Sequence, residues 1–307
     1  MAVFCPTEKD PLKWPRAVRP QAKVSRRIGI HTSIAAGVEY AAERAYRLGC
    51  NTFQIFSSSP RQWRPYQLGR VQCETMNRLR QQYDLKPLVI HANYLINLAG
   101  TNPLFLGKSV EALRGELERA LALCADYLVL HPGSFRGTSR EQGLQRTASS
   151  IKEASRGLDL AKGGLTILIE NTAGAEYSLG GTFEQVAELI ELLSGTVPVA
   201  ACIDTCHVHV AGYDIVSAEG RKLTLQHLDG TVGLKNVRVW HCNDAKAERG
   251  SRLDRHEHIG RGKLGLPVFR ALLNDRRLKQ AAFVAETPID DPGDDLRNVE
   301  ALQRLVA

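Results

Sequence analysis

No run in the 307-residue sequence approaches the roughly 18 consecutive apolar residues that a membrane-spanning helix requires, so no membrane association is expected. The N-terminal segment MAVFCPTEKDPLKWPR lacks the apolar stretch of a secretory leader. No CxxC pair occurs. The seven cysteines, at 5, 50, 73, 124, 202, 206 and 242, are odd in number and scattered, which argues against a disulfide framework and for reduced thiols in a cytoplasmic protein. No repeat, linker or low-complexity block divides the chain, and 43% hydrophobic with 24% charged residues excludes a disordered or collagen-like polymer. A strong charge excess is also missing from the body. The total is +7, but residues 1–27 hold seven Lys and Arg against two acidic residues, so residues 28–307 carry only +2. The basic excess therefore lies in a Pro-containing extension, residues 1–26, expected to be flexible and to serve as a solubilising tail or a DNA-binding arm. Nucleic-acid binding by the body would need a local cluster or the charge of bound metal.

What is present is an alternation. Short apolar runs at 27–33, 51–56, 87–92, 126–131, 165–170, 197–204, 236–242 and 281–287 are separated by helical stretches at 38–48, 71–83, 109–124, 140–158, 183–193, 266–274 and 296–306, with a mixed segment up to 232. Continuous β-rich runs suit a parallel sheet buried on both faces. Eight such units predict an α/β fold, a single (β/α)8 TIM barrel over residues 27–307, with its active site at the C-terminal mouth of the strands. An open doubly wound sheet is the alternative.

Nearly every predicted strand ends on a metal-type ligand: His31, His91, His131, Glu170, Asp204 (with His207 after it), His241 and Glu286. From His91 to Glu286 the gaps are 40, 39, 34, 37 and 45 residues, about one βα unit each. In a barrel these ends meet at one mouth. A single His at such a place is more often a hydrogen-bonded polar residue than a ligand, but a whole ring of them is hard to explain without a cation, because buried carboxylates are costly. The loop GSRLDRHEHIGRG adds Asp254 and His256, which with His207 form a two-His, one-carboxylate set of catalytic-zinc type. Five His and four carboxylates exceed the needs of one ion and suit two or three, with zinc favoured and manganese or iron as alternatives. Cys202 and Cys206, flanking Asp204, read as small core residues.

The motifs GIHTSIAAG, FSSSPRQWRP, HANYLINLA, LVLHPGS, ILIENTAG, CIDTCHVHVAGYD, VWHCNDAK, GSRLDRHEHIGRG and VAET, covering residues 28 to 300, resemble those of the endonuclease IV family of apurinic/apyrimidinic (AP) endonucleases, AP endonuclease family 2. The resemblance implies a TIM barrel holding three zinc ions: one on His91, His131 and Glu170; a second, bridged by Glu170, on Asp204, His241 and Glu286; a third on His207, Asp254 and His256. It implies cleavage of double-stranded DNA on the 5′ side of abasic sites, leaving a 3′-hydroxyl and a 5′-deoxyribose phosphate, in base excision repair. Glu170 and Glu286 are the expected catalytic residues, orienting the attacking hydroxide. Arg61, Tyr94 and Leu95 are expected to wedge into the base stack, with Gln62, Trp63 and Arg255 among the further DNA contacts. Arg252, Arg261 and Lys263 extend the basic cluster around Arg255, and His31 is expected to orient a ligand or a phosphate. Pro60 and Ala92 stand where family members vary and bear on substrate contacts rather than on the chemistry. A monomer is expected. The rival expectations are a divalent-metal sugar isomerase or epimerase, needing only Glu170, Asp204, His241 and Glu286, and a non-catalytic damage-binding protein, which predicts at least one lost ligand.

Overall fold

The computed structural model describes residues 24–63 and 66–307. Most of the predicted N-terminal extension, and Arg64 of the loop after the second strand, lie outside the described residues. Eight strands form one sheet: β1 (Arg27–Ile30), β2 (Phe53–Phe56), β3 (Leu88–His91), β4 (Tyr127–Leu130), β5 (Thr166–Glu170), β6 (Val199–Asp204), β7 (Val237–His241) and, after a two-stranded ribbon of β8 (Asp244–Ala245) and β9 (His256–Glu257), β10 (Ala282–Ala285). The order β1-β10-β7-β6-β5-β4-β3-β2 is parallel throughout, and a parallel bridge between His31 and Gln54 joins its two edges. This is the predicted barrel, not an open sheet. Helices α1 (Glu39–Arg47), α2 (Arg70–Gln82), α3 (Pro103–Ala122), α4 (Arg140–Ser155), α5 (Phe183–Leu193), α6 (Thr205–Ala211), α7 (Ala218–Thr231), α8 (Leu266–Asn274) and α9 (Asp294–Gln303) surround it. No helix among the described residues is long and apolar enough to cross a membrane.

Two differences from the sequence-based expectation have local causes. Helix α3 begins at Pro103 rather than 109, because Asn102 accepts hydrogen bonds from the backbone of Leu104 and Phe105 and proline fits the first helical turn. The mixed segment before 232 is two helices, since Gly212 takes a left-handed conformation (φ 117°) that ends α6.

The strands alternate toward their C-terminal ends, with one irregularity where β6 meets β7, so that Val237 and Val239 join different cores. Val89, Val129, Leu168, Cys202, Val239 and Val284 point inward and pack as a small core inside the barrel, while their neighbours Ile90, Leu130, Ile169, Ile203, Trp240 and Ala285 point outward into the core beneath the helices. Cys202 and Cys206 are thus core residues, as read, and the described cysteines are free thiols. The next inward position along each strand is His91, His131, Glu170, Asp204, His241 or Glu286. A period of two therefore places six ligand-type side chains on the layer above the apolar plug.

The β1–β2 seam is held partly by side chains. Asn51 Oδ1 accepts from the Ile28 N–H at 2.6 Å, its Nδ2 donates to the Arg26 carbonyl at 2.8 Å, and the Thr32 N–H donates to the Gln54 carbonyl at 2.8 Å. Gly29 permits this approach: a Cβ there would lie 1.9 Å from the Thr52 carbonyl oxygen.

Candidate metal centre

His91, Glu170, Asp204 and His241 are buried at the ends of β3, β5, β6 and β7, and His131 and Glu286 immediately follow β4 and β10. Asp204 also caps α6, accepting the His207 N–H at 2.8 Å, so the helix starts without a spacer and turns His207 back into the mouth. The ribbon β8–β9 brings Asp254 and His256 over from the long loop after β7.

These residues gather in three groups whose ligand atoms lie within 4.8 Å of one another: His91, His131 and Glu170; Glu170, Asp204, His241 and Glu286; and His207, Asp254 and His256. Glu170 belongs to two of them through different oxygens. Its Oε2 lies 3.2 Å from His91 Nε2 and 3.1 Å from His131 Nε2, while its Oε1 lies 2.8 Å from His241 Nδ1. Glu286 Oε2 is 3.2 Å from the same His241 nitrogen. In the third group Asp254 spans His207 Nε2 and His256 Nε2, each at 3.1 Å, and Asp204 Oδ2 reaches His256 Nε2 at 3.7 Å.

The electrostatics show what such a site requires. Burial disfavours charge on Glu170, His207, His256 and Glu286, yet mutual contact overrides it. Against burial, Asp204 and Asp254 push His207 up to about 10 and His256 up to about 9. Burial would raise the Glu286 carboxyl, but His241 and His91 hold it at about 2. His241 and His131 likewise keep Glu170 well below the usual carboxylate range despite its complete burial. Without cations the buried carboxylates are balanced only by imidazolium protons, and divalent ions would replace those protons directly.

The imidazoles are also oriented as ligands. His91 Nδ1 pairs with the Ala92 carbonyl at 2.8 Å, His207 Nδ1 with the Asn171 carbonyl at 2.9 Å, and His256 Nδ1 with the Glu286 carbonyl at 3.1 Å. Each ring turns its Nε2 to the carboxylates. A metal-ligating histidine donates its other N–H in this way, and imidazole with carboxylate is a donor set suited to zinc.

Several supporting residues escaped the sequence reading. Asn243 Nδ2 donates to Asp204 Oδ2 at 2.6 Å, and its Oδ1 accepts the Glu286 N–H at 2.7 Å. Asn171 Oδ1 accepts the Asp204 N–H at 2.7 Å. Fully buried Asp244 organises the loop that carries the third group by accepting its backbone N–H groups. Gln54 lies buried on β2 among the ligands; its visible signal was one amide in an otherwise apolar strand, FQIF.

The expected DNA-contact residues lie on the rim. Arg61, Gln62 and Trp63 are exposed after β2, and Tyr94 (58% exposed) and Leu95 (36%) after β3. Asn93 ties the two loops together, its Nδ2 donating to the carbonyls of Ser59 and Gln62 at 3.0 and 2.9 Å. Tyr94 meets Phe56 edge-on, with ring centroids 5.2 Å apart. Arg255 is exposed between Asp254 and His256, Arg252 and Arg261 are exposed nearby, and Lys263 pairs with Glu248. His31 sits at the inner wall, its Nδ1 3.9 Å from Glu286 Oε1.

The chain matches the family described as xylose isomerase-like TIM barrels over residues 42–305. It is 47% identical to the Probable endonuclease 4 of Solibacter usitatus over 281 residues, which is 91% of this chain and 96% of that protein. It is 38% identical to the Probable endonuclease 4 of Cenarchaeum symbiosum, covering 91% of this chain and 99% of that one. The crystal structure of endonuclease IV from Thermus thermophilus superposes with a TM-score of 0.79 at 38% identity, covering 91% of this chain and 98% of that chain. With this similarity covering 91% of the chain, the chain belongs to the endonuclease IV family.

Proposed function

We propose that this protein is a zinc-dependent AP endonuclease that hydrolyses the phosphodiester 5′ to abasic sites in double-stranded DNA, leaving a 3′-hydroxyl and a 5′-deoxyribose phosphate, as a step of base excision repair. The observation that carries the reading is the shared Glu170 carboxylate, whose two oxygens face two separate donor groups at 2.8–3.2 Å. Three zinc ions would be held by His91, His131 and Glu170; by Glu170, Asp204, His241 and Glu286; and by His207, Asp254 and His256. When bound, they would neutralise phosphate charge and acidify a water molecule.

The chain supplies the rest. Glu286 is 14% exposed at its side chain where Glu170 is fully buried, so it is the carboxylate within reach of the substrate side. Its Oε1 accepts from Gln54 at 2.6 Å and its Oε2 from Asn243 at 3.3 Å, which hold it as a fixed acceptor that aligns the attacking water. Tyr94, Leu95 and Arg61 fill the gap left by the missing base. An abasic nucleotide has no stacking to lose, so it leaves the helix at low cost. Trp63, Gln62 and Arg255 contact the flanking DNA. His31 orients the phosphate or Glu286. The barrel functions as a monomer in the cytoplasm, with residues 1–26 as an accessory extension.

The test is incision of an abasic-site duplex, with product ends analysed, before and after zinc chelation. Chelator-sensitive cutting 5′ to the site is expected. No incision, or turnover of a ketose or aldose instead, would overturn the reading.

A further inference from the structure

Gln54 makes three contacts, of which the proposed function uses only the one to Glu286. Its Oε1 lies 2.8 Å from His241 Nε2, and its Nε2 lies 2.6 Å from Glu286 Oε1 and 3.1 Å from His31 Nδ1. The side chain is fully buried on the inward face of β2, where the barrel closes onto His31.

The orientation of this amide follows from chemistry. An ionised Glu286 can only accept, so the amide nitrogen of Gln54 must face it. The amide oxygen then faces His241 and can only accept, so His241 must carry its proton on Nε2. That leaves His241 Nδ1 turned to Glu170 Oε1 at 2.8 Å and Glu286 Oε2 at 3.2 Å, where the second donor group converges. The second amide N–H of Gln54 points at His31 Nδ1, which must therefore accept, and neutral His31 carries its own proton on Nε2. His31 lines a cavity of about 290 Å³ at the mouth together with Ser33, Phe56, Ser58 and Ser59.

We infer that Gln54 is a positioning residue that locks two histidine tautomers at once, baring His241 Nδ1 for the metal and making His31 a hydrogen-bond donor at the mouth, while it holds Glu286 Oε1 in place. The metal clause, and with it the single tautomer of His241, rests on the proposed function; the tautomer of His31 does not. One side chain thereby links a ligand at the bottom of the mouth to a donor on its substrate wall. Such outer partners typically change metal affinity or activity 10- to 100-fold when removed.

The experiment is two-bond proton–nitrogen correlation NMR of the histidine rings. Expected in the wild type are His31 protonated on Nε2 in the metal-free protein, and His241 protonated on Nε2 with Nδ1 ligated after zinc addition. Gln54→Met should weaken zinc binding at the second group by about 10- to 100-fold in a competitive-chelator titration. Gln54→Glu keeps the acceptor and loses both donors, so His241 should keep its Nε2 proton while His31 loses its single tautomer. His31 protonated on Nδ1 in the wild type would overturn the inference without any variant. So would a Gln54→Met protein with wild-type zinc affinity. A wild type that shows the expected tautomers but does not cut abasic DNA would instead overturn the proposed function.

Discussion

Asp244 offers a sharp test of how the third donor group is built. Its carboxylate is buried and accepts four backbone N–H groups: Ala245 at 2.9 Å and Leu264 at 2.8 Å on Oδ1, and Gly260 at 2.9 Å and Gly265 at 3.2 Å on Oδ2. Three of the four come from the segment just beyond β9, so Asp244 pins the far end of the loop that delivers Asp254 and His256. The fit is close, since a Cβ on Gly262 would lie 2.5 Å from Asp244 Oδ1. Asp244→Asn preserves the shape but turns an NH2 toward two N–H donors. Two charge-assisted bonds are lost at about 1.5–3 kcal/mol each, about 3–6 kcal/mol in all if the loop stays in place. That is a large part of the roughly 5–15 kcal/mol of a typical fold. Loop detachment limits the global cost, and it removes Asp254 and His256 from His207. The expected outcome is a melting temperature lower by on the order of 10 °C and loss of the third group's metal with the other two groups still loaded. Calorimetry and elemental analysis of the purified variant measure both. An Asp244→Asn protein that melts within about 2 °C of wild type with its full metal content would refute the reasoning.

Other expectations follow from the same geometry. Glu170→Gln removes the carboxylate shared by two groups and should lower incision by at least about 10³-fold while abasic-DNA binding persists in gel shifts; near wild-type cutting would remove Glu170 from the chemistry. Tyr94→Ala, at an exposed rim position, should weaken binding to abasic duplex by about 10-fold and to intact duplex much less, and equal losses would exclude a wedge. Zinc uptake by the metal-free protein should release protons, because His207 and His256, pushed up to about 10 and about 9, are protonated near neutral pH and must give up those protons to bind metal. Uptake should accordingly weaken as pH falls. Titration calorimetry in buffers of different ionisation enthalpy reads the proton count, and zero release would contradict the imidazolium–carboxylate pairing.

The sequence by itself determined the barrel and the floor of the site. Eight apolar runs with room for a helix after each admit few other folds, and a period of two makes His91, His131, Glu170, Asp204, His241 and Glu286 the next inward residues above an apolar layer. That information is local and periodic, so it survives in one dimension. It did not reach the supporting amides, because Asn and Gln beside a strand end look the same whether they face solvent or a carboxylate. Only closure of the barrel set Gln54 2.6 Å from Glu286, across 232 residues of chain. Only the path of the loop after β7 carried Asp254 to His207, and only the packed interior decided that the two oxygens of Glu170 turn to different histidines. Spacing specifies which side chains share a layer; the curvature of the sheet and the course of its loops specify which atoms meet.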